Sequence, residues 1–255
     1  MECLNCNAGL PQGANYCPSC GAKVVRDRLT LKTVWSDLSL QVFNLDNTFL
    51  RTFRHMFSQP VQVVLSYIKG TRKRYINPVG YFAVAVTLSG FMLFILRDVY
   101  SLNLTQSSFA EQDSPDLGFM FDYQGFVSYL VMPVYAFMTW LLFKGKNTFN
   151  YTEHLVANAY IFGQTSFIQV ATYLVVLGLF PIKFDIFNFG YLLFVLVYQF
   201  WILGRMHKAS FWGSFWRGFV YMVFLLILMG IIGTVAITIV LLTGQASLED
   251  FRPNP

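Results

Sequence analysis

Charge is what this chain has least of. Only 12% of its 255 residues are Asp, Glu, Lys or Arg, about half the share of a soluble globular protein. Too little polar surface exists to cover a core in water. Cysteine is absent beyond residue 20, so sulfur chemistry is confined to the N-terminal segment. Residues 1–30 contain no apolar run of the length a secretory leader needs, and the first residues are expected to stay in the cytosol. Within the long apolar stretches no carboxylate, Lys or Arg sits firmly, which removes the usual relay groups of a proton-coupled transporter.

Apolar residues supply the rest: 55% hydrophobic and 18% aromatic, with a mean hydropathy of +0.50. They fall into five stretches able to cross about 30 Å of hydrocarbon, near 77–97, 125–143, 155–180, 186–203 and 219–242. Lys and Arg collect in cytoplasmic loops. Ten precede the first stretch, Lys144 and Lys146 follow the second, and Arg205, Lys208 and Arg217 follow the fourth. The opposite side keeps Arg97, Lys183 and Arg252 with eight acids: Asp98, Glu111, Asp113, Asp116, Asp122, Asp185, Glu249 and Asp250. The fourth stretch is the shortest, yet dropping it would put the Arg205–Arg217 loop on the wrong side. The expectation is an all-α membrane protein: a five-helix transmembrane bundle over 76–243 with the N-terminus cytosolic and a short external tail, 244–255.

Before the bundle, residues 29–75 read as cytosolic amphipathic or interfacial helices. Asp46 is a candidate N-cap for a helix reaching Met56. Pro60 and Gly70 frame a second, "PVQVVLSYIK". Leu45, Phe49, Phe53 and Phe57 recur every fourth residue. That face could lie in the headgroup layer or pack onto the ends of the spans. No internal repeat is evident.

The strongest chemical signal is "ECLNCNAGLPQGANYCPSCGAK". Two Cys-x-x-Cys pairs can each turn tightly around one ion, so Cys3, Cys6, Cys17 and Cys20 are expected to complete a closed tetrahedral thiolate shell over residues 1–24. Gly21 suits the left-handed turn after Cys20, and "AGLPQGANY" makes a hairpin-like connection. So short a segment cannot fold on apolar burial alone; one structural Zn²⁺ would supply the free energy. Iron in a rubredoxin-like site is the alternative metal, and a disulfide or redox pair is disfavoured in a reducing cytosol. The ribbon carries one aromatic, Tyr16, with Lys23 at its edge, which points away from nucleic acid and toward a protein partner.

Other polar positions are candidates. "YIKGTRKRYINP" sets Lys69, Arg72, Lys73 and Arg74 beside the first span, as an orienting charge or as a site for anionic headgroups or phosphate. Phe211, Trp212, Phe215, Trp216 and Phe219 share one helical face as interfacial anchors. Asn158, Thr165, Gln169 and Thr172 fall within about 60 degrees on a helical wheel. They form either a polar path or a set of interhelical hydrogen bonds. Glu153 and His154 are the chain's adjacent acid–histidine pair; with no nucleophile or further ligand they make a thin case for catalysis.

With "CPSCG", "YIKGTRKRYINPVGYF" and "YTEHLV" in view, the chain resembles the bacterial membrane family called domain of unknown function 3667. The family string corresponds here to Tyr67, Gly70, Arg72, Tyr75, Pro78 and Tyr81, with Thr71 where Lys is usual. Family members often carry histidines one and two turns after the Glu-His pair; this chain has Tyr160 and Phe162 in that neighbourhood. The resemblance implies a bacterial inner-membrane protein and brings no reaction with it. The expected function is a non-enzymatic docking or organising protein in contact with the bilayer. The alternative is a carrier or channel for a small solute or lipid.

Overall fold

A computed structural model describes residues 2–24, 48–102, 104, 123–146 and 149–242. Asp46, Leu45, most of the 98–124 loop with Glu111, Asp113, Asp116 and Asp122, and the tail 244–255 lie outside the described residues. Seven α-helices are found among those described: α1 Thr48–Ser58, α2 Pro60–Ile68, α3 Pro78–Phe94, α4 Gln124–Leu142, α5 Tyr151–Leu179, α6 Phe184–Met206 and α7 Phe211–Leu242. A π-helical turn, Ile95–Val99, extends α3. The last five helices are long and apolar enough to cross a membrane, so the chain is an all-α membrane bundle. α7 starts several residues before the expected span, and its Phe211, Trp212, Phe215 and Trp216 are all exposed.

Helix starts follow local chemistry. Asn77 caps α3, its Oδ1 accepting from the Gly80 N–H at 2.6 Å, and Pro78 occupies the first helical position, where its missing N–H costs nothing. At α5 a capping box closes reciprocally. Asn150 Oδ1 accepts from the Glu153 N–H at 2.9 Å, and Glu153 Oε2 accepts from the Asn150 N–H at 2.5 Å. Gly70, at φ +104°, ends the α2 turn.

α5 is the central helix, with buried side chains along most of its length. Against α3 the approach is close at Gly163, where a Cβ would lie 2.7 Å from Tyr81 Cδ1. Tyr81 donates a short hydrogen bond to Gln164 Oε1, and Tyr160 donates to the Ile76 carbonyl at 2.6 Å. Phe49, Tyr81, Tyr160 and Phe167 pack ring on ring at centroid distances of 5.1–5.9 Å. α1 therefore packs onto the bundle. Its buried face differs from the expected one: Thr52 and Met56 are buried and Phe49 and Phe53 pack against the core, while Phe57 is exposed. The four-residue spacing drifts from 3.6 per turn, so Phe57 rotates off the stripe that Phe49 begins.

The sequence shows no evident repeat; the N-terminal segment nonetheless folds as one. Cys3 N–H donates to Ala8 O at 2.9 Å and Cys17 N–H to Ala22 O at 2.7 Å; Asn7 N–H donates to Cys3 O and Gly21 N–H to Cys17 O, both at 2.8 Å. Antiparallel bridges Glu2–Gly9 and Tyr16–Lys23 flank the two knuckles.

Gly163→Ala is expected to lower the thermal midpoint of the detergent-solubilised protein, at a cost of about 1–3 kcal/mol for overpacking against a fixed ring. Gly90→Ala, where a Cβ meets nothing within 4 Å, is expected to leave it unchanged or slightly higher.

Candidate functional site

The four cysteines converge. Cys3 Sγ–Cys20 Sγ and Cys6 Sγ–Cys17 Sγ are each 3.7 Å apart, and all four sulfurs lie within 4.8 Å of one another. A tetrahedron with metal–sulfur bonds of about 2.3 Å has edges of about 3.8 Å, so this donor set fits one metal ion. No disulfide joins the cysteines. The Ala22 N–H leads the influences that bring the Cys20 thiol down to about 6, with Asn5 adding to it. At Cys6 the Ala8 N–H pulls the same way, but the neighbouring thiols, Cys20 foremost, and burial push it up to about 12. Mutual repulsion keeps such a quartet from ionising fully; a cation at its centre removes that obstacle. Gly21, at φ +63°, and Asn7, at φ +60°, hold the left-handed turns after each pair.

The ribbon is seated on the basic turn. Thr71 Oγ1 donates to the Leu4 carbonyl at 3.3 Å and Lys73 Nζ to the Cys20 carbonyl at 3.4 Å. The other cations of that turn have separate settings. Arg72 is 4% exposed, with its guanidinium 4.3 Å above the Tyr67 ring; Arg74 lies 5.5 Å from the Tyr75 ring centre. Lys69 is exposed and borders a groove of about 650 Å³ with Gln59, Trp201, Arg205 and Leu4. Tyr75 shares a 2.9 Å hydrogen bond with His55 of α1. The string Tyr67–Arg72–Tyr75–Tyr81 thus folds into one buried aromatic and cationic cluster under the ribbon.

A second polar cluster lies at the same end of the bundle. Asn158 Nδ2 donates to Thr139 Oγ1 at 2.9 Å and to the His154 carbonyl at 2.8 Å, while Asn158 Oδ1 accepts from Gln199 Nε2 at 2.8 Å. Gln199 Nε2 also approaches Tyr221 OH at 3.4 Å. Four helices, α4 to α7, are stitched through these side chains. Thr139 Oγ1 lies 3.0 Å from the Ala136 carbonyl and 3.2 Å from His154 Nδ1; with its single proton on the carbonyl, Nδ1 is the nitrogen that donates. His154 faces His207, ring centres 5.0 Å apart, and Phe143 stacks on His207 at 4.4 Å.

The structure distributes the sequence candidates among different tasks. Glu153 closes the capping box and His154 turns inward, so the adjacent pair does not share a site. Of the α5 stripe, Asn158 joins the network. Thr165 and Thr172 donate to carbonyls of their own helix, at 3.2 Å to Phe162 and 2.8 Å to Ile168. Thr139, Gln164, Gln199 and His207 did not stand out in the sequence. A lone polar residue in each of several apolar helices was the available signal, because such residues face protein at membrane depth.

Residues 46–90 match the model of a family described as a protein of unknown function (DUF3667). That range takes in α1, α2, the basic turn and most of α3, and it bears out the resemblance read from the juxtamembrane string. No curated protein and no solved structure matches the chain.

Asn158→Leu is expected to cost about 1–3 kcal/mol, since Gln199 and Thr139 are left without their buried partner. Thr172→Val is expected to stay within about 0.5 kcal/mol. Paired thermal-unfolding curves in one detergent separate the two outcomes.

Proposed function

We propose that this chain, bearing the DUF3667 segment on five membrane-length helices, is a non-enzymatic multi-pass protein of the bacterial cytoplasmic membrane. Its N-terminal ribbon holds one structural zinc and serves as a docking or organising head for another protein. A single observation carries the reading: the ribbon is bonded to the basic turn through the Leu4 and Cys20 carbonyls, while Leu4 and Tyr16 remain 60% and 61% exposed. A fold of about twenty residues, bonded to the bundle and exposing Leu4 and Tyr16, offers a partner apolar points of contact. α1 adds exposed Leu50 and Phe57 to the same head.

Orientation follows from charge. Fifteen of the eighteen Lys and Arg fall before the first span or in the second and fourth loops, which sets those segments and the N-terminus in the cytosol and the C-terminus outside. There the thiols stay reduced and available to the metal. Zinc is proposed over iron as the usual ion of closed four-thiolate structural sites. Exposed Lys69, Arg51, Arg54 and Arg205 provide attraction to anionic headgroups, each cation contributing about 1 kcal/mol near the leaflet. The carrier alternative draws little support from α5, whose stripe is divided between an interhelical network and bonds within its own helix.

Elemental analysis of purified protein is expected to give one zinc per chain, and less than about half an equivalent would count against the site. Cys17→Ser with Cys20→Ser is expected to leave the helices inserted while abolishing proteins that co-purify with the native chain. Persistence of the same partners would end the docking reading.

A further inference from the structure

Between α3, α4 and α5 lies a half-open cavity of about 160 Å³, toward the end of the bundle away from the ribbon. Its walls include Phe82, Val86, Met132 and Phe162, which belong to a buried cluster separate from the main core. Among the described residues, no Asp, Glu, Lys, Arg or His lines it. Two polar atoms there lack hydrogen bonds among the described residues: Ser89 Oγ and Gln124 Oε1. Ser89 is 5% exposed. Its neighbour Thr87 donates to the Ala83 carbonyl at 3.0 Å, and Ser128, on the cavity's opposite wall, donates to Gln124 O at 2.8 Å. A hydroxyl in a membrane helix ordinarily satisfies itself in that way, because an unmet polar group in hydrocarbon is costly. Ser89 does not, and it borders the same space as the bare side-chain Oε1 of Gln124.

We propose that this cavity binds the head of a neutral, hydroxyl-bearing amphiphile drawn from the bilayer. A hydroxyl both donates and accepts, which matches an acceptor-only Gln124 Oε1 and a Ser89 that can give its proton. With no charge on the walls that the described residues form, phosphate and ammonium heads are disfavoured on desolvation grounds. Volume bounds the inserted part: a cavity of about 150 Å³ admits a benzene-sized body, so six to eight non-hydrogen atoms enter, and the remaining chain stays in lipid through the open side. The inference goes beyond the docking reading and needs only that the helices be embedded.

The test uses the full chain in phosphatidylcholine vesicles with a photoactivatable eight-carbon alcohol carrying a diazirine. Saturable labelling is expected on peptides containing Val86 or Met132. Octanol should suppress it, while octane and glycerol at equal concentration should not. Ser89→Ala together with Gln124→Leu is expected to reduce the saturable labelling about tenfold, the effect of losing one to two net hydrogen bonds. The same double variant should keep the thermal midpoint, because neither Ser89 Oγ nor Gln124 Oε1 makes a bond that is lost, so lost labelling cannot be ascribed to misfolding. Competition by octane as strong as by octanol, non-saturable labelling, or unchanged labelling in the double variant would each overturn the proposal. Suppression by glycerol would overturn its origin in the bilayer.

Discussion

The placement of one ring, Tyr81, organises the ribbon end of this molecule. It sits in the notch left by Gly163, donates to Gln164, and touches Phe49, Tyr160 and Phe167. Through it, α1, α3 and α5 meet at one point. Tyr160 then reaches back to the Ile76 carbonyl just before α3 begins. Both phenols are fully buried, and a buried hydroxyl is costly without a hydrogen-bond partner. Tyr198 finds Met56 O at 2.7 Å and Tyr173 finds Asn188 Oδ1 at 2.6 Å. The abundance of tyrosine therefore works as a set of apolar bodies with directional tips. These fix the register between helices whose aliphatic faces would pack almost equally well after a slip.

The second constraint is the sharing of polar residues among α4 to α7. Thr139, Asn158, Gln199 and Tyr221 come from four different helices. None is charged, and their donors and acceptors meet within a single turn of α5. Such a network favours one arrangement of the bundle over its alternatives, because any other pairing strands an amide in hydrocarbon. The Asn150–Glu153 capping box begins α5 one turn before this network. The acid most suggestive of chemistry thus contributes the start of the helix that the other helices gather around.

Length, hydropathy and charge made the helices legible, since a span is a property of a continuous stretch and needs no knowledge of neighbours. The cysteine site was legible for a related reason: ligand spacing is local. The partners of Asn158 were not, because a hydrogen bond between α5 and α6 joins residues 41 apart and no periodicity encodes it. α1 marks the limit in another way. Its apolar repeat identified an amphipathic helix, but the choice of buried stripe fell to Phe167 and Tyr81, which wait on other helices. The repeat within the ribbon escaped notice because Asn7 and Gly21 look unrelated as letters, though both can adopt the same left-handed backbone.

That near-twofold ribbon also carries a break in its symmetry. At Gly21 a Cβ would lie 2.9 Å from Lys73 Nζ, whereas the twin position, Asn7, bears a full side chain. The two knuckles are alike in backbone and unlike at the spot where the lysine nests. Turned half around, the ribbon would present an amide side chain at that spot, and the flexible end of the exposed Lys73 would have to move aside. One hydrogen atom in place of a side chain tilts a pseudo-symmetric plug toward one of its two ways of seating.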